Sequence, residues 1–336
     1  MKTILLTTFI ATIFLCDCVI AQEPPPPERS IERLAGDVYR FQNNQHFGVF
    51  LVTSAGIVVA DPINQGAAEW LQGELAARFD VPVTHVLYSH HHWDHVSGGA
   101  VFKDATVISH ENTNADLTAP AEDAKISGFW TTLDADRDGM IQKSEAGPFL
   151  TPNFANWDSN GDGALTGYEL WVGQYSGVRK PDESYANEHT LTLGGQSVTM
   201  HHVGGQHADD LSYIVFPGNI LFVVDVISLK RLPFGNLGGF DLDELNRTVD
   251  AAVALKPAIF VGGHGFTGNA GDIAAFRQYH LDLIAGVQAG IDAGKSLEQI
   301  QESLLMEDYK DWGNYADWRT LNIQGIYAYL TRGEDS

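Results

Sequence analysis

Ser89-His90-His91-His92-Trp93-Asp94-His95 is the stretch on which the reading of this chain turns. It follows an apolar, β-rich run over residues 83–88 and holds His-x-His-x-Asp-His, four metal-binding side chains within six residues. Imidazole nitrogens and carboxylate oxygens are what zinc takes when no thiolate is on offer. One histidine there would be ordinary. Four such groups after a buried strand set polar and charged atoms beside a core, which is costly unless they bind something. Upstream, a helical stretch is expected over 67–79, and short strands over 38–61 are punctuated by Gly48 and Gly56. Strand, helix, strand and polar loop is the α/β order in which ligands gather at the carboxyl ends of strands.

Further along, the strand pattern resumes after an interruption. A hairpin is expected over 191–203 about Gly194-Gly195, with strands over 212–216, 220–224 and 258–261. The tail from Asp272 reads as mostly helical, with Ser296 and Gln299 placed as a capping box. Polar residues punctuate these strands in order: Asp61 closes Val58-Val59-Ala60, His207 ends Gly204-Gly205-Gln206, Asp225 closes Phe222-Val223-Val224, and His264 follows Gly262-Gly263.

Taken together, these motifs resemble the metallo-β-lactamase-fold hydrolases, over nearly the whole chain apart from the interruption. The resemblance implies a four-layer αββα sandwich and two Zn²⁺. It assigns His90, His92 and His207 to one ion, Asp94, His95 and His264 to the other, and Asp225 to a bridge between them. Asp61 is then the aspartate that supports the metal loop, and Asp94 the catalytic residue that orients the nucleophile. Where the best-known resistance enzymes of the family carry a cysteine ligand, Asp225 stands here. That departure favours lactones, thioesters and other esters over β-lactams. The spacing of 115 residues from His92 to His207 is long for the family, and the interruption accounts for it. His91, His201 and His202 have no place in the resemblance and read as solvent-facing or supporting imidazoles, while Trp93 serves wall packing or substrate contact equally well. Lys230 and Arg231 are candidate contacts for a substrate carboxylate, although a solvated basic pair is the blander reading.

The interruption, residues 122–177, is acidic and rich in glycine turns. Asp134, Asp136 and Asp138 take positions one, three and five of a twelve-residue EF-hand loop, Gly139 makes the turn at six, Met140 offers its carbonyl at seven and Glu145 closes at twelve. Asp158, Asn160, Asp162, Gly163, Ala164 and Glu169 repeat the pattern, with Leu165 in the apolar slot opposite Ile141. The second loop starts 24 residues after the first, so the intervening helices must be short. Two Ca²⁺ are expected, as a structural clamp, in an inserted small helical module.

Met1-Lys2 and the apolar run that follows read as a secretory signal over 1–21, too short to span a bilayer. A stiff Pro-rich linker over 22–30 comes next, then the two parts of the sandwich, 31–121 and 178–336. The expected location is secreted or periplasmic, with no membrane span in the mature form. Both cysteines, Cys16 and Cys18, fall within the signal, so the mature chain has no disulfide or thiolate ligand and must rest on a large core and bound metal. A net charge of −23, from 43 acidic and 20 basic residues, argues against nucleic acid as partner. A small-molecule substrate is expected. Three functions compete: a hydrolase of a small carbonyl substrate, favoured here, with β-lactamase activity as a special case; a zinc phosphodiesterase or sulfatase; and a non-enzymatic calcium-binding protein. The seven-ligand set argues against the last.

Overall fold

The computed structural model describes residues 25–205, 207–237 and 241–332. The expected signal over 1–21, with both cysteines, lies outside the described residues, as does Gln206. Fourteen strands are found among the described residues: β1 Arg29–Ala35, β2 Val38–Asn43, β3 His46–Thr53, β4 Gly56–Ala60, β5 Val83–Leu87, β6 Thr106–His110, β7 Ile141–Gln142, β8 Ala164–Leu165, β9 Glu183–Tyr185, β10 Glu188–Leu193, β11 Gln196–His202, β12 Ser212–Phe216, β13 Ile220–Val223 and β14 Ile259–Gly262. They form a seven-stranded sheet in the order β1-β2-β3-β4-β5-β6-β9, a five-stranded sheet β10-β11-β12-β13-β14, and the two-stranded pair β7-β8.

Alternation along the strands builds the layers. In β4, Val58 and Ala60 join a core shared with Ile214, Phe216, Ile220 and Phe222 of the other sheet, while Ile57 and Val59 face Ala67, Ala68, Leu71 and Leu75 of the helix Gln65–Arg78. On the far face of the second sheet, Tyr213, Leu221 and Val223 pack against Leu245 and Val249 of Leu242–Leu255 and against Ile273 and Phe276 of Ala270–Asp292. Helix, sheet, sheet, helix is therefore the order through the molecule. Each fully buried Leu, Ile, Val or Phe contributes about 1.5–3 kcal/mol, so burying both faces of the central strands supplies most of the stabilisation.

Element boundaries differ from the sequence expectations in ways that have causes. The first helix starts at Gln65, because the Asn64 side chain accepts from Ala67 N–H at 3.0 Å and caps it there. β1 opens at Arg29, inside the stretch expected as linker, because Arg29 and Ser30 reach across to Asn43 and Gln42 of β2. The hairpin about Gly194-Gly195 runs longer than expected, from Glu188 to His202. Ser296 and Gln299 do form a capping box, on Leu297–Ser303. The helix Leu242–Leu255 had not been anticipated. Its Asp241 cap accepts from Asp243 N–H at 2.9 Å and Glu244 N–H at 3.2 Å. No helix among the described residues is long and apolar enough to cross a membrane.

Between β6 and β9 the chain makes one-turn helices, a nine-residue helix Gly167–Tyr175, and a separate small core of Ile126, Ile141, Leu150, Phe154, Leu165 and Leu170. Ile141 and Leu165 are direct cross-strand partners in the β7-β8 pair. The two acidic loops share one hydrogen-bond plan. Gly139 N–H donates to Asp134 Oδ2 at 2.9 Å as Gly163 N–H does to Asp158 Oδ2 at 3.0 Å. Met140 N–H reaches Asp138 Oδ1, and Ala164 N–H reaches Asp162 Oδ1, each at 2.9 Å. Glu145 accepts from Ala135 N–H at 2.8 Å and Glu169 from Ser159 N–H at 3.0 Å, so each glutamate folds back over the start of its loop. Gly139 and Gly163, at φ +92° and +86°, take a turn that a side chain would strain.

Candidate metal centre

β4 and β5 run parallel, as do β13 and β14, so within each sheet the loops leaving these strands open on one edge. Asp61 follows β4, His90 to His95 follow β5, Asp225 follows β13 and His264 follows β14, while His207 lies between β11 and β12. Asp61 and Asp225 both adopt left-handed backbone, at φ +50° and +63°. Non-glycine residues hold that conformation at a cost of order 1–3 kcal/mol; here the Asp61 carboxylate meets Ser89 and the Asp225 carboxylate meets the histidines.

Asp225 organises what it meets by oxygen. Its Oδ2 lies 3.2 Å from His90 Nε2, 3.0 Å from His207 Nε2 and 3.7 Å from His92 Nδ1. Its Oδ1 lies 3.3 Å from His95 Nε2 and 3.0 Å from His264 Nε2. Asp94 sits on the Oδ1 side, with Oδ2 3.5 Å from His95 Nε2 and 3.7 Å from His264 Nε2. The structure thus gathers all seven expected residues into two clusters that share one carboxylate. His90 and His207 turn their Nε2 atoms toward each other at 3.4 Å, and both nitrogens of buried His95 lack a hydrogen bond. Such a convergence of lone pairs suits cations better than it suits the imidazoles alone.

Electrostatics follow the same division. Burial, reinforced by His92, pushes the His90 pKa down to about 3, so that ring is neutral and free to act as a ligand. For His95 burial works downward too, but Asp225 and Asp94 outweigh it and raise the pKa to about 10; the two carboxylates call for positive charge there. Asp61 is fully buried, and burial lifts its pKa to about 6 against the pull of His95 and the Ser89 hydrogen bonds. It accepts from Ser89 N–H at 2.8 Å and Ser89 Oγ–H at 2.6 Å, which fixes the start of the histidine loop. Gly263 lies so close that an added Cβ would come within 2.6 Å of Val224 and 3.1 Å of His95, so the loop before His264 requires a bare backbone.

Two neighbours escaped the sequence reading. His46, at the start of β3, places Nε2 3.3 Å from Asp94 Oδ2. It arrives there because Phe47 N–H donates to Gly263 O at 2.9 Å, a contact between the two sheets with no local signature. Asp210 is fully buried, accepts from Thr113 Oγ–H at 2.7 Å, and meets His91 Nδ1 at 3.0 Å. His91 is accordingly a partner for Asp210 and Asp116, set apart from the ligand clusters. His201 pairs with Glu188, and His202 meets the Asp209 carbonyl.

Beside the clusters opens a chamber of about 420 Å³, lined by Asp94, His207, Asp225 and His264 at one end and by apolar side chains beyond. Arg231 lines it, over the Trp318 ring and donating to Ser228 Oγ, with Nε unpartnered; Lys230 turns away, 3.8 Å from Asp272. Trp318 walls the chamber, whereas Trp312 and Tyr315 pack within the helical tail. On the opposite flank, Ser97 Oγ–H, at the end of the one-turn helix Trp93–Val96, donates to Gln174 O of Gly167–Tyr175 at 2.7 Å.

Comparison with known proteins places this geometry. A family model described as the metallo-beta-lactamase superfamily matches residues 64–264. Among solved structures, a metallo-beta-lactamase from Pontibacter korlensis aligns with TM-score 0.50 and 17% identity, covering 75% of this chain and 99% of its own. A double mutant of the sec-alkyl sulfatase PisA1 aligns with TM-score 0.58 and 14% identity over 92% of this chain; the chain spans about half, 51%, of that protein. At these identities both likenesses speak of fold alone. No curated protein matches. With the family model covering more than half of the sequence, and with the expected site residues from both sheets brought together, the chain belongs to the metallo-beta-lactamase superfamily.

Proposed function

We propose that this protein is an exported di-zinc hydrolase acting on a small carbonyl substrate: an ester, thioester, lactone or β-lactam. The observation that carries the reading is the division of Asp225, one oxygen toward His90, His92 and His207 and the other toward His95, His264 and Asp94. The residues fit two zinc ions by number, by atom type and by the unpartnered nitrogens of His95. Bound there, zinc would supply a Lewis acid for the carbonyl and would lower the pKa of water toward about 7. The chain's own part is positional. Asp61 and Ser89 hold the histidine loop, His46 holds the Asp94 carboxylate, and Asp94 receives and passes on the proton of the attacking water. The shared hydrogen-bond plan of the two acidic loops supports two calcium ions, held by Asp134, Asp136, Asp138, Met140 O and Glu145, and by Asp158, Asn160, Asp162, Ala164 O and Glu169. Export rests on the amino-terminal sequence.

Protein purified without chelator should carry about two zinc equivalents per chain. It should turn over at least one compound in a panel of esters, thioesters, lactones and β-lactams. Near-zero zinc after reconstitution would end this reading. A second reading, sulfate-ester hydrolysis, is favoured by Arg231, a guanidinium in the chamber wall whose charge suits a sulfate group. Alkyl sulfates therefore belong in the panel.

A further inference from the structure

His91 stands between two candidate ligands in the chain and joins neither of their clusters; it meets a different set of carboxylates. Its Nδ1 lies 3.0 Å from Asp210 Oδ1 and 3.3 Å from Asp116 Oδ2, and the three atoms fall within 4.8 Å of one another. One nitrogen carries at most one hydrogen. That hydrogen serves Asp210, and Asp116 Oδ2, a buried atom, is left without a hydrogen bond. Asp210 is fully buried, its other oxygen taken by Thr113 Oγ–H at 2.7 Å. Asp209 adds a third carboxylate beside Asp116, and Asn112 Nδ2, 3.1 Å from Asp209 Oδ2, brings a donor but no charge. Three carboxylates thus gather about one imidazole, and among the described residues no lysine or arginine forms an ion pair with any of them. Carboxylates taken out of water need pairing or a metal, and a single imidazole falls short of three. The spacing suits an ion: donors held at about 2.0–2.2 Å around a tetrahedral zinc lie about 3.3–3.6 Å apart. Pairs within the clusters around Asp225 show the same separations, 3.3 Å from His95 to Asp225 and 3.5 Å from His95 to Asp94.

We propose that His91, Asp116 and Asp210 form a third cation site, for Zn²⁺, which ties the second sheet to the loops leaving the first. His91 follows β5, Asp116 ends the one-turn helix Thr113–Asp116 after β6, and Asp210 lies just before β12 of the other sheet. Side chains of His91 and Asp116 are 19% and 30% exposed, which gives an ion its way in from solvent. On binding, Nδ1 yields its hydrogen to solvent and becomes a ligand with Asp116 Oδ2 and Asp210 Oδ1, and water completes the set. The imidazole donor selects zinc over calcium or magnesium. Each cluster at Asp225 offers four protein donors and this site three, so its ion is held more weakly, leaves on desalting and returns when zinc is added.

The test is a calorimetric titration with Zn²⁺ of the full chain, loaded with zinc, desalted, and held in saturating calcium so that the acidic loops are closed to zinc. Wild type should take up one further equivalent. Asp116→Asn keeps the shape of a part-exposed side chain and should weaken that uptake by at least about tenfold, as should His91→Ala, which removes the nitrogen. His201→Ala, which removes an imidazole paired with Glu188, should leave it unchanged and so accounts for adventitious binding by surface histidines. The added equivalent should raise the melting temperature of wild type and leave that of Asp116→Asn where it was. What is read is a difference of one equivalent, whatever number the clusters at Asp225 retain, so the result is independent of the hydrolase reading. No further uptake by wild type, or uptake by Asp116→Asn and His91→Ala equal to that of wild type, would overturn the site and leave His91 as an imidazolium shared between two carboxylates.

Discussion

Residues that look alike in the sequence separate by what they touch. His91 sits between two ligands in the chain, yet its ring faces Asp210 and Asp116, whereas Asp225 touches four histidines of the clusters within 3.5 Å. Asp225→Ala should therefore cut bound zinc from about two equivalents toward one and lower turnover by well over 100-fold, since even outer partners of metal ligands are worth about 10–100-fold. His91→Ala should keep both ions and most of the activity. It should instead cost about 1–3 kcal/mol of stability, because Asp210 is left buried with Thr113 alone. Equal loss of zinc in both variants would show that the clusters are wrongly drawn. A second residue-scale expectation concerns pH. The pKa of His280 is depressed to about 3 in the folded state against about 6.5 unfolded, so below pH 6.5 the unfolded chain binds the proton first. Stability that the folded state has at neutral pH is then lost as pH falls. Denaturant melts at pH 7 and pH 5 should show His280→Leu gaining about 2 kcal/mol on wild type over that interval, and a constant difference would contradict the buried neutral ring.

Elements carry their own energetics. The core under β7 and β8 is separate from the cores of the sandwich, so a cavity in each should be felt in different places. Ile141→Ala should cost about 2–5 kcal/mol and advance the melting of the small core, while Val49→Ala should lower the main transition. Calorimetry resolves the two, and a single transition shifted alike by both substitutions would mean that the excursion and the sandwich unfold as one. The same scale explains what could be read from the chain beforehand. Strands ending in a candidate ligand were legible because a period of two, a glycine turn and a zinc-compatible side chain sit within a few residues of each other, as at Phe222 to Asp225 and Gly262 to His264. In the acidic stretch the turns at Gly139 and Gly163 were legible because a glycine among short polar residues marks left-handed backbone, whereas what the loops hold belongs to the proposal. Leu242–Leu255 was missed although its apolar residues recur at helical spacing, and β1 was missed because only Ile31 and Leu34 mark it among polar neighbours. His46 and Asp210 were out of reach for another reason, since their roles arise from contacts between segments remote in the chain.

At the scale of the whole molecule, the histidine and aspartate clusters and the two acidic loops, the sites proposed for zinc and for calcium, share a chain but no residue. Removing calcium would leave Asp134, Asp136, Asp138 and Glu145 in mutual repulsion, and Asp158, Asp162 and Glu169 likewise. Calcium at about a hundred times its dissociation constant should stabilise the folded state by roughly 2.7 kcal/mol per independent site. Titrating a calcium-selective chelator should lower the melting temperature while zinc-dependent turnover at moderate temperature persists. Loss of activity at calcium levels that leave the fold intact would show the excursion to be a gate.

The bond from Ser97 to Gln174 sets the terms of that outcome. The helix that Glu169 helps to cap ends beneath the loop that carries Asp94 and His95, so the two regions are in physical touch. Binding free energies at touching sites obey reciprocity: if calcium multiplies the affinity for zinc by some factor, zinc multiplies the affinity for calcium by the same factor. Calcium isotherms recorded with and without zinc therefore measure the conversation between the two regions in the absence of any substrate. A ratio of one would mean that the proposed calcium loops reach the proposed zinc site only through the stability of the fold.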